Sequence, residues 1–305
     1  MNKTTQLREL LTRAEMIVAP GAYDGITARL VEQAGFPAVY MTGAGTSASK
    51  GFPDYGLLTM TEMVENAAMM APLVEIPLIA DADTGYGNEL NVTRTIRAFE
   101  ARGVAAIHLE DQVSPKRCGQ LDGKEIVSRE EFLAKIRAAV AARRDPDFLL
   151  IARTDARAVA GLDEAIARAN AALRAGADLA FVEAVQTGEE LAAVPRLVQG
   201  PCLLNVVPGG KTPAVNLLDA QQMGYKLAIL PGLLLGAVIA AADQALQTLK
   251  ETHLPPNSRE GAPMEVFRRF GASEWDRLRS QFQAEAQSAL AFNPPSEGEH
   301  ATHRL

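Results

Sequence analysis

Short apolar runs alternate with amphipathic stretches along most of the chain. Residues 17–19, 38–41, 78–81, 105–110, 148–154, 179–184, 202–206 and 227–230 are nearly continuous in Val, Ile, Leu and Ala, as strands covered on both faces should be. Helical spacing of apolar positions predicts helices over 26–34, 163–175, 189–197 and 235–249. Strands alternating with helices build a parallel sheet, and eight such units predict a closed (β/α)8 barrel of the TIM type. An open doubly wound sheet is the alternative. The first strand leads into PGAYDG and not into a Gly-rich dinucleotide fingerprint, which counts against it.

The ends of the chain depart from this repeat. Residues 1–17 predict a polar amphipathic helix with no apolar signal core. Residues 252–263 contain Pro and Ser and read as a linker, and 265–287 predict an amphipathic helix broken near Gly271. That helix carries Phe267, Phe270, Trp275 and Leu278 beyond a complete barrel, so packing on a neighbouring subunit is expected. The organisation expected is a catalytic barrel over 1–250, a helical arm over 251–290 and a disordered tail over 291–305.

Composition narrows the partners. Of 305 residues, 48% are hydrophobic, ample for a large core, and the net charge is −7. A mildly acidic chain argues against nucleic acid or an anionic membrane as its main partner. An anionic substrate would have to be held by local positive groups. The most apolar late stretch, 227–242, contains Pro231, Gly232 and Gly236 and suits a strand, a turn and a helix better than a membrane span. Cys118 and Cys202 are far apart and lack zinc spacing, so a reduced, cytoplasmic protein is expected.

The polar residues gather at one end of the strands. Asp24, Thr42, Asp81, Asp83, Glu110, Arg153, Glu183 and Asn205 all lie at or just past strand C-termini, where barrels of this class build their active sites. Within PLIADADTGYG, Asp81 and Asp83 stand at the mouth of a buried strand. Unpaired carboxylates are costly there, so a positive partner is expected. Oxygen donors without nearby His or Cys suit Mg²⁺, with Mn²⁺ as the other choice. An Asp capping the next helix beside a solvated Asp would account for the same pair.

Residues 111–127, DQVSPKRCGQLDGKEIV, are long for a βα loop and contain Pro115, Gly119 and Gly123. Such loops at an active-site rim often act as lids. Cys118 follows Lys116 and Arg117, cations expected to lower its pKa and favour a reactive thiolate. It suits a nucleophile or a general acid/base. Cys202, within an apolar strand, suits a buried structural thiol.

DADTGYG, HLEDQ (108–112), PKRCG (115–119), ARTDA (152–156) and GGKTP (209–213) together resemble the isocitrate lyase/phosphoenolpyruvate mutase superfamily. The match is closest to its branch of 2-methylisocitrate lyases, 2,3-dimethylmalate lyases and carboxyphosphonoenolpyruvate mutase-like proteins, over about 20–240. The resemblance implies a (β/α)8 barrel, an Mg²⁺ site and a homotetramer that exchanges a late helix. It implies that Asp83 binds the metal directly while Asp81, Glu110 and Asp54 hold metal-bound waters. Tyr40, Thr42, Gly43 and Ala44 would line the substrate carboxylate and 2-oxygen, and Arg153, Glu183 and Asn205 would complete the pocket. Lys116, Arg117, Cys118, Gly119 and Gln120 would reach it from the loop. Lys116, Arg153 and Cys118 are then the catalytic groups, Cys118 as proton donor.

The implied reaction is Mg²⁺-dependent C–C cleavage of a 2-hydroxy di- or tricarboxylate to a 2-oxo acid and a carboxylic acid. Two positions depart from the branch. Gln120 stands where its lyases usually place His, and a serine common in the carboxylate loop is absent from Thr42-Gly43-Ala44-Gly45. Gln has no proton to relay near neutral pH. Oxaloacetate decarboxylation, or phosphonate P–C mutase or hydrolase chemistry, is the alternative reaction. A non-catalytic paralogue that keeps the pocket is a third reading.

Overall fold

The computed structural model describes residues 2–256 and 263–292. Eight strands, β1 (Ile17–Ala22), β2 (Val39–Met41), β3 (Leu78–Asp81), β4 (Ala106–Glu110), β5 (Leu149–Thr154), β6 (Leu179–Val182), β7 (Cys202–Asn205) and β8 (Leu227–Leu230), close into a barrel in sequence order. Every pairing is parallel, and β1 meets β8 with Ile17 opposite Leu227. The (β/α)8 expectation holds, strand by strand.

Alternate strand residues fill the barrel, among them Tyr40, Ile79, Ile151, Phe181, Leu203 and Ile229, all buried. The helix Lys3–Thr12 adds Leu7 and Leu10 to this cluster beside the strand-start residues Ala38, Ala105 and Leu149. It therefore plugs the N-terminal mouth and leaves the C-terminal mouth for chemistry. A second layer, including Val92, Ile96, Phe99, Phe132, Ile136 and Phe148, packs helices Glu89–Glu100 and Arg129–Ala142 onto the strands.

Two compact units divide the chain, Met1–Ala242 and Asp243–Leu305. The boundary falls inside the helix Leu233–Thr252, ahead of the division expected at 250. The second unit holds the end of that helix, then Pro263–Arg269 and Ala272–Phe292. The break expected near Gly271 is there, with that glycine at φ 91°, in the left-handed region. Part of the expected linker (257–262) and most of the expected tail (293–305) lie outside the described residues. Among the described residues no helix is long and apolar enough to cross a membrane.

Candidate active site

The acidic end of the site forms where β3 stops. Asp83 adopts φ 47°, a conformation Asp tolerates better than most residues. Its N–H donates to Asp81 Oδ1 (2.9 Å), locking the two carboxylates together. Gly43 makes room for Asp81: a Cβ there would lie 2.4 Å from Asp81 Oδ2. Tyr40 Oη donates to the same oxygen (3.3 Å) and lies 2.8 Å from His108 Nε2. Burial pushes His108 down to about 4, so the imidazole is neutral at physiological pH. Burial alone would raise the Asp81 carboxyl, but His108 once protonated below about 4, with Lys116, Arg153 and the Asp83 N–H, holds it down at about 2.

Asp83 behaves oppositely. Burial, with Asp81 and Asp54 nearby, raises it to about 6 against the pull of Lys116. Burial likewise drives Glu110, at the end of β4, well above the carboxylate range. Lys116 reaches down from the loop between the acids. Its Nζ makes a short contact with Asp54 and stands 3.0 Å from Asp83 Oδ1, off hydrogen-bond alignment. Despite burial, Asp83 and Asp54 keep its pKa well above the usual lysine value.

The end that carries Arg153 is built on β5, β6 and β7. Arg153 Nη1 stands 3.0 Å from Glu110 Oε2, Nε donates to Asp155 Oδ2 (2.9 Å), and the guanidinium lies 5.3 Å from the Phe181 ring centroid. Glu183 accepts from Asn205 Nδ2 at 3.3 and 3.1 Å through its two oxygens. Gln120 Nε2 donates to Glu183 Oε1, and Gln120 Oε1 accepts the Lys211 N–H at 2.7 Å. The loop thus lies closed over the site. A Cβ on Gly119 would fall 2.4 Å from both Arg153 Nη2 and Glu183 Oε1.

Cys118, half-buried in this loop, corrects an expectation. Burial, with Asp54 nearby, raises its thiol to about 11, overriding Lys116 and Arg153. The cation expected to activate it, Lys116, is already committed to Asp54 and Asp83. Arg117 is the other departure. It was expected to face the substrate, yet it is exposed, with its guanidinium 5.2 Å from the Tyr55 ring centroid. Gln112 fixes that orientation by bonding Arg117 N (3.0 Å) and Arg117 O (2.8 Å).

The other expected residues converge on the C-terminal mouth. Thr42 is buried and accepts the Gly45 N–H (3.3 Å) as cap of the helix Gly43–Ser49, whose first turn holds Ala44. Asp24 is the exception at the rim: it caps the helix Gly25–Gln33 in a reciprocal box with Thr27. His108, Asp155 and Lys124 also line this site, without a role expected from the sequence. His108 stands two positions before Glu110 on β4 and Asp155 two after Arg153, so strand periodicity would have placed each on its partner's face. Lys124 offers no such signal, because its partner Asp155 lies 31 residues away.

A family model described as phosphoenolpyruvate phosphomutase matches residues 7–250. The chain belongs to this family. It is 50% identical over 232 residues to a 2,3-dimethylmalate lyase of Eubacterium barkeri, covering 76% of this chain and 80% of the relative. It is 39% identical over 287 residues to a 2-methylisocitrate lyase of Aeropyrum pernix, covering 93% and 92%. An oxaloacetate acetylhydrolase solved with 3,3-difluorooxalacetate superposes with TM-score 0.90 at 40% identity, over 92% of this chain and 97% of that one. A phosphonopyruvate hydrolase solved with oxalate and Mg²⁺ gives TM-score 0.83 at 32% identity, over 93% and 100%. The protein is accordingly an enzyme of the lyase type in the isocitrate lyase/phosphoenolpyruvate mutase superfamily, whose members are metal-dependent.

Proposed function

We propose that this enzyme is an Mg²⁺-dependent lyase that cleaves the C2–C3 bond of a 2-hydroxy di- or tricarboxylate of the 2,3-dimethylmalate or 2-methylisocitrate kind. The products would be a pyruvate-like 2-oxo acid and a saturated carboxylic acid. The observation that carries this reading is the loop glycine fitted against Arg153 and Glu183, which sets the lid that bears Cys118 over the guanidinium and the acids at the barrel mouth.

The acidic end fits a hard divalent ion. Asp83 Oδ1 and both Glu110 carboxylate oxygens are buried without an aligned hydrogen bond among the described residues; Asp83 Oδ1 faces Lys116 and Glu110 Oε2 faces Arg153 as ion pairs at 3.0 Å. Among those residues no three acids, histidines or cysteines converge closely enough to chelate an ion unaided. Asp83 would be the direct ligand, with Asp81, Glu110 and Asp54 around it through water. Bound there, Mg²⁺ would lower the pKa of the substrate hydroxyl and polarise its carboxylate.

The chain's own groups supply the rest. The hydroxyl proton would pass to a carboxylate of the acidic end, the C2–O bond would become the product carbonyl, and the C2–C3 electron pair would move onto the fragment that becomes an aci-carboxylate. Arg153, held by Glu110 and Asp155, is placed to meet that charge. Cys118 would protonate the resulting carbanion, a task suited to a thiol that keeps its proton at neutral pH. Tyr40, Thr42, Gly43 and Ala44 would seat the 2-oxo acid end, with Glu183, Asn205, Gly119 and Gln120 closing the far side. Lid closure would exclude water from the carbanion.

A substrate panel with Mg²⁺, read by 2-oxo acid release, tests the reading. Release from dimethylmalate or 2-methylisocitrate is expected, with loss of activity in chelator and in Asp83→Ala. Activity persisting in either would remove the metal assignment. A second reading, C–C cleavage of oxaloacetate, draws on the likeness to oxaloacetate acetylhydrolase and on Gln120, which cannot relay a proton. Oxaloacetate consumed while both lyase substrates stay intact would favour it.

An exchanged-helix homotetramer is part of the same proposal. It is supported by Leu233, Val238, Ile239, Leu246 and Leu249 on a helix with no buried residue, and by Trp275 and Phe282 beyond it. Two free thiols fit a cytoplasmic setting.

A further inference from the structure

Lys124 occupies the second half of the lid, and its side chain is 1% exposed. Its ammonium donates to the carbonyl of Gly119, the residue after Cys118, and to Asp155 Oδ1 at 2.8 Å. Asp155 is fully buried and grips Arg153 through Nε (2.9 Å) and Nη2 (3.2 Å). It is anchored from below, its N–H donating to Asp111 Oδ1 (2.8 Å). Asp111 is fixed in turn by Thr154 Oγ1 (2.6 Å) and Arg168 Nη1 (3.0 Å). Among the described residues Lys124 is the one lid side chain on Asp155. A single ammonium therefore ties the turn that carries the thiol to the carboxylate that orients the guanidinium.

We propose that Lys124 is a positioning residue that makes the seating of Cys118 and the setting of Arg153 one event. With the lid open, Asp155 has lost one of its two cations and the Gly119 carbonyl is free to turn. With it closed, the Asp155 carboxylate is shared between Arg153 and Lys124, and both groups reach their working places together. The inference rests on the lyase reading for the work those two groups do. The clasp itself is a matter of geometry. Lys124 lies in the lid and not in a barrel strand, so its loss lets the lid swing out while the barrel stands.

The test compares Lys124→Met and Asp155→Asn with the unaltered protein. Iodoacetamide modification of Cys118 and of Cys202 is followed in the same sample by mass spectrometry. Cys202, buried in β7, reports general loosening of the barrel. Both variants are expected to speed modification of Cys118 by about tenfold or more with Cys202 unchanged, as for opening of one segment. On the lyase panel, kcat is expected to fall by about 10²-fold with a smaller change in KM. Lys124→Arg should restore part of each.

Cys118 reacting no faster in either variant would overturn the inference, as would both cysteines reacting faster together, or an unchanged kcat. If Lys124→Met does not fold, Lys124→Gln carries the same comparison, since it too removes the ammonium from Asp155. An unaltered protein that turns over no substrate would sink the lyase reading, while the modification ratio would still show whether Lys124 seats the thiol.

Discussion

At neutral pH the Cys118 thiol keeps its proton. Burial, with Asp54 nearby, holds it at about 11, so the group is a donor in waiting and a poor nucleophile. Below that value the thiolate fraction climbs with pH, so iodoacetamide modification of Cys118 in the free protein should rise about tenfold per pH unit. It should show no plateau below about pH 10, and a plateau near neutrality would mean a depressed pKa. Cys118→Ser should lower kcat by about 10²-fold or more through loss of general-acid help. Full turnover in that variant would take the thiol out of the reaction. The acids show the same dependence on surroundings. Asp81 and Asp83 are two residues apart, yet one is held at about 2 and the other raised to about 6. His108, Lys116 and Arg153 outweigh burial at Asp81, whereas Asp83 is raised by burial and by two neighbouring carboxylates.

The loop between β4 and the helix Arg129–Ala142 behaves as an element with its own supports. Its base is pinned by an antiparallel bridge between Gln112 and Ile126. Its tip is held by Lys116, Gln120 and Lys124, each on a different strand end or rim loop. Closure depends on Gly119, where an added Cβ would fall against both Arg153 and Glu183. Gly119→Ala should therefore hold the lid off the site, lowering kcat by about 10²-fold. Because the loop can lift without disturbing the strands, Tm should stay within about 2 °C, a shift of no more than about 1 kcal/mol in a domain of this size. A large fall in Tm would mean that the loop is part of the folded core. Lys211, whose N–H meets Gln120 and whose ammonium meets Asp122, draws the loop after β7 into the same closure.

For the whole molecule, the barrel interior and the late helices pose different questions. Phe181 is fully buried among the barrel residues, edge-on to His108 and beneath Arg153. Phe181→Ala should cost about 3–5 kcal/mol in chemical denaturation at fixed protomer concentration. A cost under about 1 kcal/mol would mean that the interior collapses to fill the gap. Among the described residues of the late helices several large apolar side chains are exposed, Trp275 by 71%. In the proposed homotetramer these are covered by other copies. Light scattering after size exclusion should give four protomers, and Trp275→Glu should lower that mass. A monomer from the unaltered chain would remove the assembly from the proposal.

Much of this was fixed along the chain itself. Near-continuous Val, Ile, Leu and Ala mark strands covered on both faces, and eight of them followed by amphipathic helices close into one kind of barrel. Rim residues such as Asp81, Glu110, Arg153 and Glu183 could be named because strand ends are legible and chemistry sits at those ends. The folded chain decided what depends on distance between remote segments. Cys118 has cations beside it in sequence, but burial and the commitment of Lys116 to Asp54 and Asp83 reverse their effect. Arg117 neighbours the thiol, yet Gln112 turns it outward. Asp24 shares the rim with the acids and serves only as a cap. Lys124 carries no local mark because its partner is a strand away. Periodicity is a property of neighbours, whereas electrostatics and contact belong to whatever the fold brings within a few ångströms.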